Sequence, residues 1–167
     1  MIPRFKPWID HHEITALFRR NRGAVERLEK EFARSFNAVE ALAFPYGRSA
    51  LYTFFQTVGL RDAEIIMPAY TCSVVAHAIK LSGNVPRFVD IRLFDYNMDL
   101  ELLVDAITEK TRAIVATHLF GYPLDLDTLK SIVAKAEAKY GHKIWIVQDC
   151  AHSFGATWRG QLVGSSG

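Results

Sequence analysis

Asp149 closes the mostly apolar run Trp145-Ile146-Val147-Gln148, and His152 follows three residues later. The carboxyl end of an apolar strand is where an open α/β sheet presents its chemistry. A carboxylate placed there can keep a basic ring nitrogen protonated, and a histidine three residues on can hydrogen-bond a ligand oxygen. A second group lies upstream at Tyr46-Gly47-Arg48-Ser49-Ala50-Leu51, where a strand gives way to a helix. Gly47 is expected to let the backbone turn tightly. The amides of Arg48, Ser49 and Ala50 are expected to be free N-terminal donors, with the Ser49 hydroxyl beside them. Together with the helix dipole they would form a phosphate site.

An acid for a pyridine nitrogen and a turn for a phosphate describe half of a pyridoxal 5'-phosphate site. The ring, kept protonated by the carboxylate, serves as an electron sink. Two further loops follow predicted strands. Pro68-Ala69-Tyr70-Thr71-Cys72-Ser73 could lay Tyr70 or Cys72 over a ring, and His118-Leu119-Phe120-Gly121-Tyr122-Pro123-Leu124-Asp125 makes a turn before the next helix. Each signal has an ordinary structural reading. Ser49 is a common helix N-cap, a strand-end aspartate can cap its own turn, and Asp125 or Asp127 can cap a helix. His152 can be satisfied by nearby backbone, Tyr70 can be a core or lid aromatic, and Cys72 a small buried residue. Their order and spacing together carry the reading.

The elements that must position these residues follow from periodicity. Val25, Leu28, Phe32 and Phe36 mark an amphipathic helix over about 23–36. An apolar strand is expected over Val39–Phe44, closed by Pro45-Tyr46-Gly47. Helices are then expected over 50–58, 72–81, 100–107 and 126–140, alternating with strands over 64–67, 85–89, 112–117 and 143–147. Alternation of this kind gives an α/β fold, a mostly parallel sheet with helices on both faces and right-handed crossovers. Residues 1–10 read as an extended arm, because Pro3 and Pro7 block a helix. The expected division is 1–22, an arm and first helix, and 23–167, the sheet-bearing domain.

The 167 residues are 50% hydrophobic, with a formal net charge of +2. No long basic run points to nucleic acid or an anionic membrane, and no stretch is long enough to span a membrane. The two cysteines, Cys72 and Cys150, form no metal-ligand pattern and suit a reducing cytoplasm. No G-x-G-x-x-G follows a predicted strand, which disfavours a dinucleotide-binding domain.

In order and spacing these motifs resemble the DegT/DnrJ/EryC1/StrS family of sugar aminotransferases. The resemblance is carried by Gly47-Arg48-Ser49-Ala50-Leu51, Ile65-Ile66-Met67-Pro68-Ala69-Tyr70-Thr71, and Pro86-Arg87-Phe88-Val89-Asp90-Ile91 with Tyr96-Asn97-Met98-Asp99. It continues through His118-Leu119-Phe120-Gly121 with Asp125. The most specific stretch is Gln148-Asp149-Cys150-Ala151-His152-Ser153-Phe154-Gly155-Ala156, with Gly160 and Val163-Gly164-Ser165 after it. The resemblance implies an incomplete large domain of a fold type I pyridoxal-phosphate-dependent transferase. It places Gly47, Arg48 and Ser49 in the phosphate turn, Asp149 against the pyridine nitrogen, and His152 near the ring's phenolic oxygen. Cys72 falls where the family usually has an aromatic that stacks on the cofactor, so stacking is weaker here or Tyr70 substitutes. Arg48 replaces the commoner threonine. Gln148 replaces the usual glutamate, with no clear chemical consequence.

The family's Schiff-base lysine is expected a short way past the glycine-rich turn at 163–167, and no lysine of this chain stands at that place. Without that amine the chain is expected not to turn over by itself. The implied parent moves an amino group from glutamate onto a nucleotide-linked keto-sugar for cell-surface polysaccharide or antibiotic sugars. It is implied to be a cytoplasmic homodimer with no membrane or nucleic-acid partner. The alternatives are a deoxysugar dehydratase of the same family, in which histidine replaces the lysine, and a non-catalytic remnant. Val39–Phe44 is expected to lack its strand neighbours, which lie later in such folds, leaving the piece poorly stable alone.

Overall fold

A computed structural model describes residues 9–18 and 23–165 of the chain. It divides into two compact units, Met1–Ala43 and Phe44–Gly167. The expected extended arm lies mostly outside the described residues.

The first unit contains α1 (His11–Phe18) and α2 (Ala24–Ser35). Gly23 precedes α2 in a left-handed conformation (φ 73°), which a glycine adopts without a Cβ penalty. Phe32 and Phe36 stack at 4.6 Å, one turn apart on the same helix face.

Val39–Phe44 forms no strand, against the expectation of one there, and it lacks strand neighbours among the described residues, as expected. A strand exists only through its ladder, and among the described residues no strand pairs with this segment. Val39 is 99% exposed and Leu42 72%. One local bond is made, from the Ala43 amide to the Glu29 carboxylate of α2 at 2.8 Å.

The second unit alternates helix and strand: α3 (Gly47–Thr57), β1 (Glu64–Pro68), α4 (Ser73–Leu81), β2 (Val85–Val89), α5 (Leu100–Ala106), β3 (Thr111–Thr117), α6 (Leu126–Tyr140) and β4 (Trp145–Asp149). The four strands form one parallel sheet in the order β2-β1-β3-β4. Alternate residues of the central strands enter different cores. Ile65, Met67, Ala113 and Val115 pack with Phe55 of α3 and Val75 and Ile79 of α4. Ile66, Ile114 and Ala116 pack with Leu103 of α5 and Leu129 and Val133 of α6. Both faces are therefore covered, as an all-parallel sheet requires. Caps set the helix ends: Asp99 and Asp125 each accept two first-turn amides of α5 and α6. A short hairpin, β5 (Thr157–Trp158) and β6 (Gln161–Leu162), follows β4. Its two-residue loop has positive φ at both Arg159 and Gly160, the geometry of a type I′ turn.

Candidate functional site

The strands are parallel, so their carboxyl ends Pro68, Val89, Thr117 and Asp149 share one edge. α3 joins β1 at the opposite edge and lies against the sheet through Leu51, Phe54 and Phe55. Its first turn, Gly47–Ser49, therefore points toward the carboxyl edge that carries Asp149.

Tyr46 is the extended N-cap of α3. Its carbonyl accepts the amides of both Ser49 (3.0 Å) and Ala50 (3.2 Å). This corrects the expectation that those two amides are free. The first-turn donors that no acceptor among the described residues takes are Gly47 and Arg48. Gly47 is the second residue of the turn that the Ser49 amide closes onto the Tyr46 carbonyl, and it needs no glycine backbone there. Its φ is not positive, and an added Cβ would meet no atom within 4 Å. The glycine thus leaves open space at the helix start rather than meeting a backbone demand. Arg48 is exposed and its guanidinium lies 4.4 Å from the centre of the Tyr46 ring. Ser49 is half-buried.

Asp149 is half-buried at the end of β4, and its Oδ1 accepts the Ala151 amide at 3.1 Å. Its carbonyl accepts the His118 amide at 3.1 Å, extending the β3–β4 pairing by one residue. His152 is exposed and stacks on Phe120 at 5.9 Å, with 15° between the rings. Gly121, at φ 86°, brings the 118–124 loop close to the His152 backbone: its Cβ position lies 3.6 Å from the His152 carbonyl oxygen. Tyr70 is exposed beside Tyr96 (5.9 Å) and Phe120 (6.5 Å). Cys72 is the exposed N-cap of α4. Just before it, the Thr71 hydroxyl sits 3.4 Å from that of Thr117.

Three features of this edge were not singled out from sequence. Tyr96 (φ 60°) and Phe120 (φ 53°) are aromatic residues in the left-handed region, where a side chain costs energy, and their rings meet edge to face at 5.8 Å. Strain of this kind persists where the surrounding structure over-determines it, often at functional sites. The motif residues were visible, but positive φ in an aromatic leaves no composition signal. The third feature is a buried polar network. His118 is 0% exposed; its Nδ1 accepts the Leu124 amide at 2.9 Å and its Nε2 lies 3.0 Å from Gln148 Oε1. Asn97 ties into it, accepting the Leu119 amide (3.2 Å) and donating to the Tyr122 carbonyl (3.1 Å).

Burial lowers the His118 pKa from the usual 6.5, while the Gln148 hydrogen bond and the Asp149 charge oppose that shift. Between the folded and unfolded values the unfolded chain binds more protons, so stability rises with pH in that window. The contribution is full above about 6.5 and is lost as pH falls toward the lower folded value. We expect urea midpoints to drop between pH 7.5 and 5.5, and the drop to shrink in His118→Asn. An equal drop in both proteins would remove His118 as its source.

Two concave surfaces of the second unit lie elsewhere. One, of about 170 Å³, is lined by Arg61, Asp62, Lys110 and Arg112 at the amino ends of the strands. Another, of about 210 Å³, lies between α5 and α6. Neither contains a candidate residue; at the carboxyl edge Tyr70, Cys72 and His152 are exposed. The only group of metal-ligating type found among the described residues is Asp10, His11 and His12, in the first unit.

A family model described as the DegT/DnrJ/EryC1/StrS aminotransferase family matches residues 16–167. The chain belongs to that family. Among curated relatives of this DegT/DnrJ/EryC1/StrS member is the dTDP-3-amino-3,4,6-trideoxy-alpha-D-glucose transaminase of Micromonospora megalomicea subsp. nigra. It is 34% identical over 143 residues, which are 85% of this chain and 37% of that protein. Spr1654 of Streptococcus pneumoniae, solved in PLP, PMP and apo forms, matches with a TM-score of 0.89 and 29% identity in the PMP form. That match covers 98% of this chain and 45% of Spr1654. A GDP-4-keto-6-deoxymannose-3-dehydratase, ColD, matches with a TM-score of 0.75 and 28% identity over 84% of this chain and 36% of its own. The DegT/DnrJ/EryC1/StrS member described here thus spans less than half the length of these proteins. Its doubly covered parallel sheet is the fold type I architecture that the sequence resemblance implied.

Proposed function

We propose that this chain is the amino-terminal part of a pyridoxal-phosphate-dependent aminotransferase acting on a nucleotide-linked keto-sugar. The observation that carries the reading is the carboxylate of Asp149 at the end of β4, on the same sheet edge as the open first turn of α3. The residues present fit the cofactor. Gly47 leaves space at two uncommitted amides, Arg48 adds a cation suited to a phosphate, and Ser49 adds a hydroxyl. Asp149 offers a half-buried carboxylate to a ring nitrogen, His152 a donor to a ring oxygen, and Tyr70 and Cys72 flank the edge after β1.

When bound, pyridoxal phosphate supplies an electron sink. The chain's own residues bind and orient it. Amides at the start of α3 hold negative charge with the helix dipole behind them. Asp149 holds a proton on the ring nitrogen, because a carboxylate in hydrogen-bond contact favours the charged form of its partner. The amino donor of the parent is proposed to be glutamate, its products sugars for cell-surface polysaccharides or antibiotics, its compartment the cytoplasm. We propose a homodimer, which would cover the carboxyl edge where Tyr70, Cys72 and His152 are exposed. The amine that exchanges with substrate lies outside the motifs of this chain, so by itself it is proposed to bind cofactor without turnover.

A second reading, a deoxysugar dehydratase, is favoured by the match to ColD. The sheet and the edge residues serve both. In a polypeptide that extends past this chain, borohydride reduction labels a lysine in the aminotransferase and none in the dehydratase.

Protection of Cys72 tests the cofactor site directly. Cys72 is exposed, whereas Cys150 is half-buried and burial pushes its thiol pKa up from 9.0. Iodoacetamide should alkylate Cys72 first. Pyridoxamine phosphate, which has no aldehyde to capture the thiol, should slow that reaction several-fold in a saturable manner. Unchanged labelling of Cys72 at millimolar ligand would sink the placement.

A further inference from the structure

Gln148 immediately precedes Asp149, and the side chains of neighbouring strand residues lie on opposite faces of a sheet. Two donors converge on its Oε1: the Gly164 amide at 2.9 Å and the His118 ring nitrogen Nε2 at 3.0 Å. Their protons are fixed by the backbone. The Leu124 amide can only donate, so His118 Nδ1, 2.9 Å away, must be the acceptor. His118 is then neutral with its proton on Nε2, and that N–H donates to Gln148. The Gly164 amide can likewise only donate, so the atom facing it is the side-chain oxygen of Gln148 and not its nitrogen. One neutral acceptor therefore joins three segments that sequence separates: the 118–124 loop after β3, the end of β4, and the 160–165 turn.

We propose that Gln148 is a positioning residue, which pins the end of β4 from behind so that Asp149 is held still on the other face. The chemistry of the side chain matters. A neutral amide accepts both donors without attracting a proton to the imidazole. A carboxylate at the same place would accept both donors and also favour imidazolium, whose Nδ1–H would confront the Leu124 amide. The carboxylate of Asp149 is the other charge that acts on this ring. The proposal rests on the cofactor-binding reading only for its last step, the fixing of Asp149 for a ligand.

The test uses this chain, Gln148→Leu and Gln148→Glu, followed by ¹⁵N-detected imidazole spectra, amide exchange and pyridoxamine phosphate titration. In the unsubstituted chain His118 should be the Nε2–H tautomer. In Gln148→Leu the Gly164 amide loses its acceptor and should exchange about tenfold faster, while the Ala113 amide in the sheet does not change. Pyridoxamine phosphate should bind about fivefold more weakly. Gln148→Glu should keep slow Gly164 exchange and near-normal binding at pH 8, and raise the pH at which His118 titrates. A His118 Nδ1–H tautomer, or equal Gly164 exchange in the unsubstituted and Leu proteins, overturns the clamp. The predicted tautomer and exchange pattern without ligand binding in any variant supports the clamp and overturns the cofactor reading instead.

Discussion

Asp149→Asn is expected to leave the fold intact and weaken pyridoxamine phosphate binding by about twofold to thirtyfold. The two halves of that expectation come from two different contacts. The carboxylate accepts the Ala151 amide through Oδ1 at 3.1 Å, which shapes the turn after β4. Asparagine keeps an oxygen there, so the turn survives. What it removes is the negative charge. A hydrogen bond to a charged group contributes roughly 1.5–3 kcal/mol, against about 1 kcal/mol for a neutral pair, and each 1.4 kcal/mol is a factor of ten in affinity. Asp149→Ala should lose the turn as well and bind no better. The check is a titration of both variants with pyridoxamine phosphate alongside urea unfolding. Unchanged affinity in Asp149→Asn would move the ring nitrogen to another partner.

Phe55→Ala should cost about 3–5 kcal/mol, the range for emptying a fully buried phenylalanine site. Phe55 is 0% exposed in the core that joins α3 and α4 to the sheet, against Ile65, Met67, Val75, Ile79 and Val115. Its neighbour Phe54 meets Trp145 of β4 edge to face at 5.7 Å, so the same helix segment reaches toward the strand that ends in Asp149. Domains are stable by only about 5–15 kcal/mol. With a urea dependence of about 1–3 kcal/mol per molar, the midpoint should fall by more than 1 M. Ligand binding should fall with it even where the chain remains folded, because α3 carries the proposed phosphate turn at its other end. A loss below about 1 kcal/mol would mean that α3 is not held to the sheet through this residue.

Much of the sheet was legible in sequence because its strands are short apolar runs between clear helical periods. The helix predicted over 126–140 is the observed α6, Leu126–Tyr140, since Leu129, Val133 and Ala136 share one face and Asp125 supplies its cap. Val39–Phe44 misled for a physical reason. An apolar run has strand propensity, but a strand also needs a hydrogen-bonding neighbour, and without the neighbours the resemblance places later in the fold the run stays irregular. At α3 the residues were readable but not the geometry. Which amides the Tyr46 carbonyl consumes depends on the bifurcated bonding of one turn. The site's less visible parts depend on contacts distant in sequence. His118 and Gln148 are thirty residues apart, and the strained pair Tyr96 and Phe120 meets only when two loops close over the same strand ends.

In the proposed site the carboxyl edge holds pyridoxal phosphate with its ring nitrogen on Asp149 and its phosphate at the start of α3. A crystal structure of this chain soaked with pyridoxamine phosphate measures both contacts at once. The ring nitrogen is expected about 2.7–2.9 Å from an Asp149 carboxylate oxygen, and the phosphate against the amides of Gly47 and Arg48. Ligand seated instead among Arg61, Lys110 and Arg112 at the opposite edge, with Asp149 free, would contradict it.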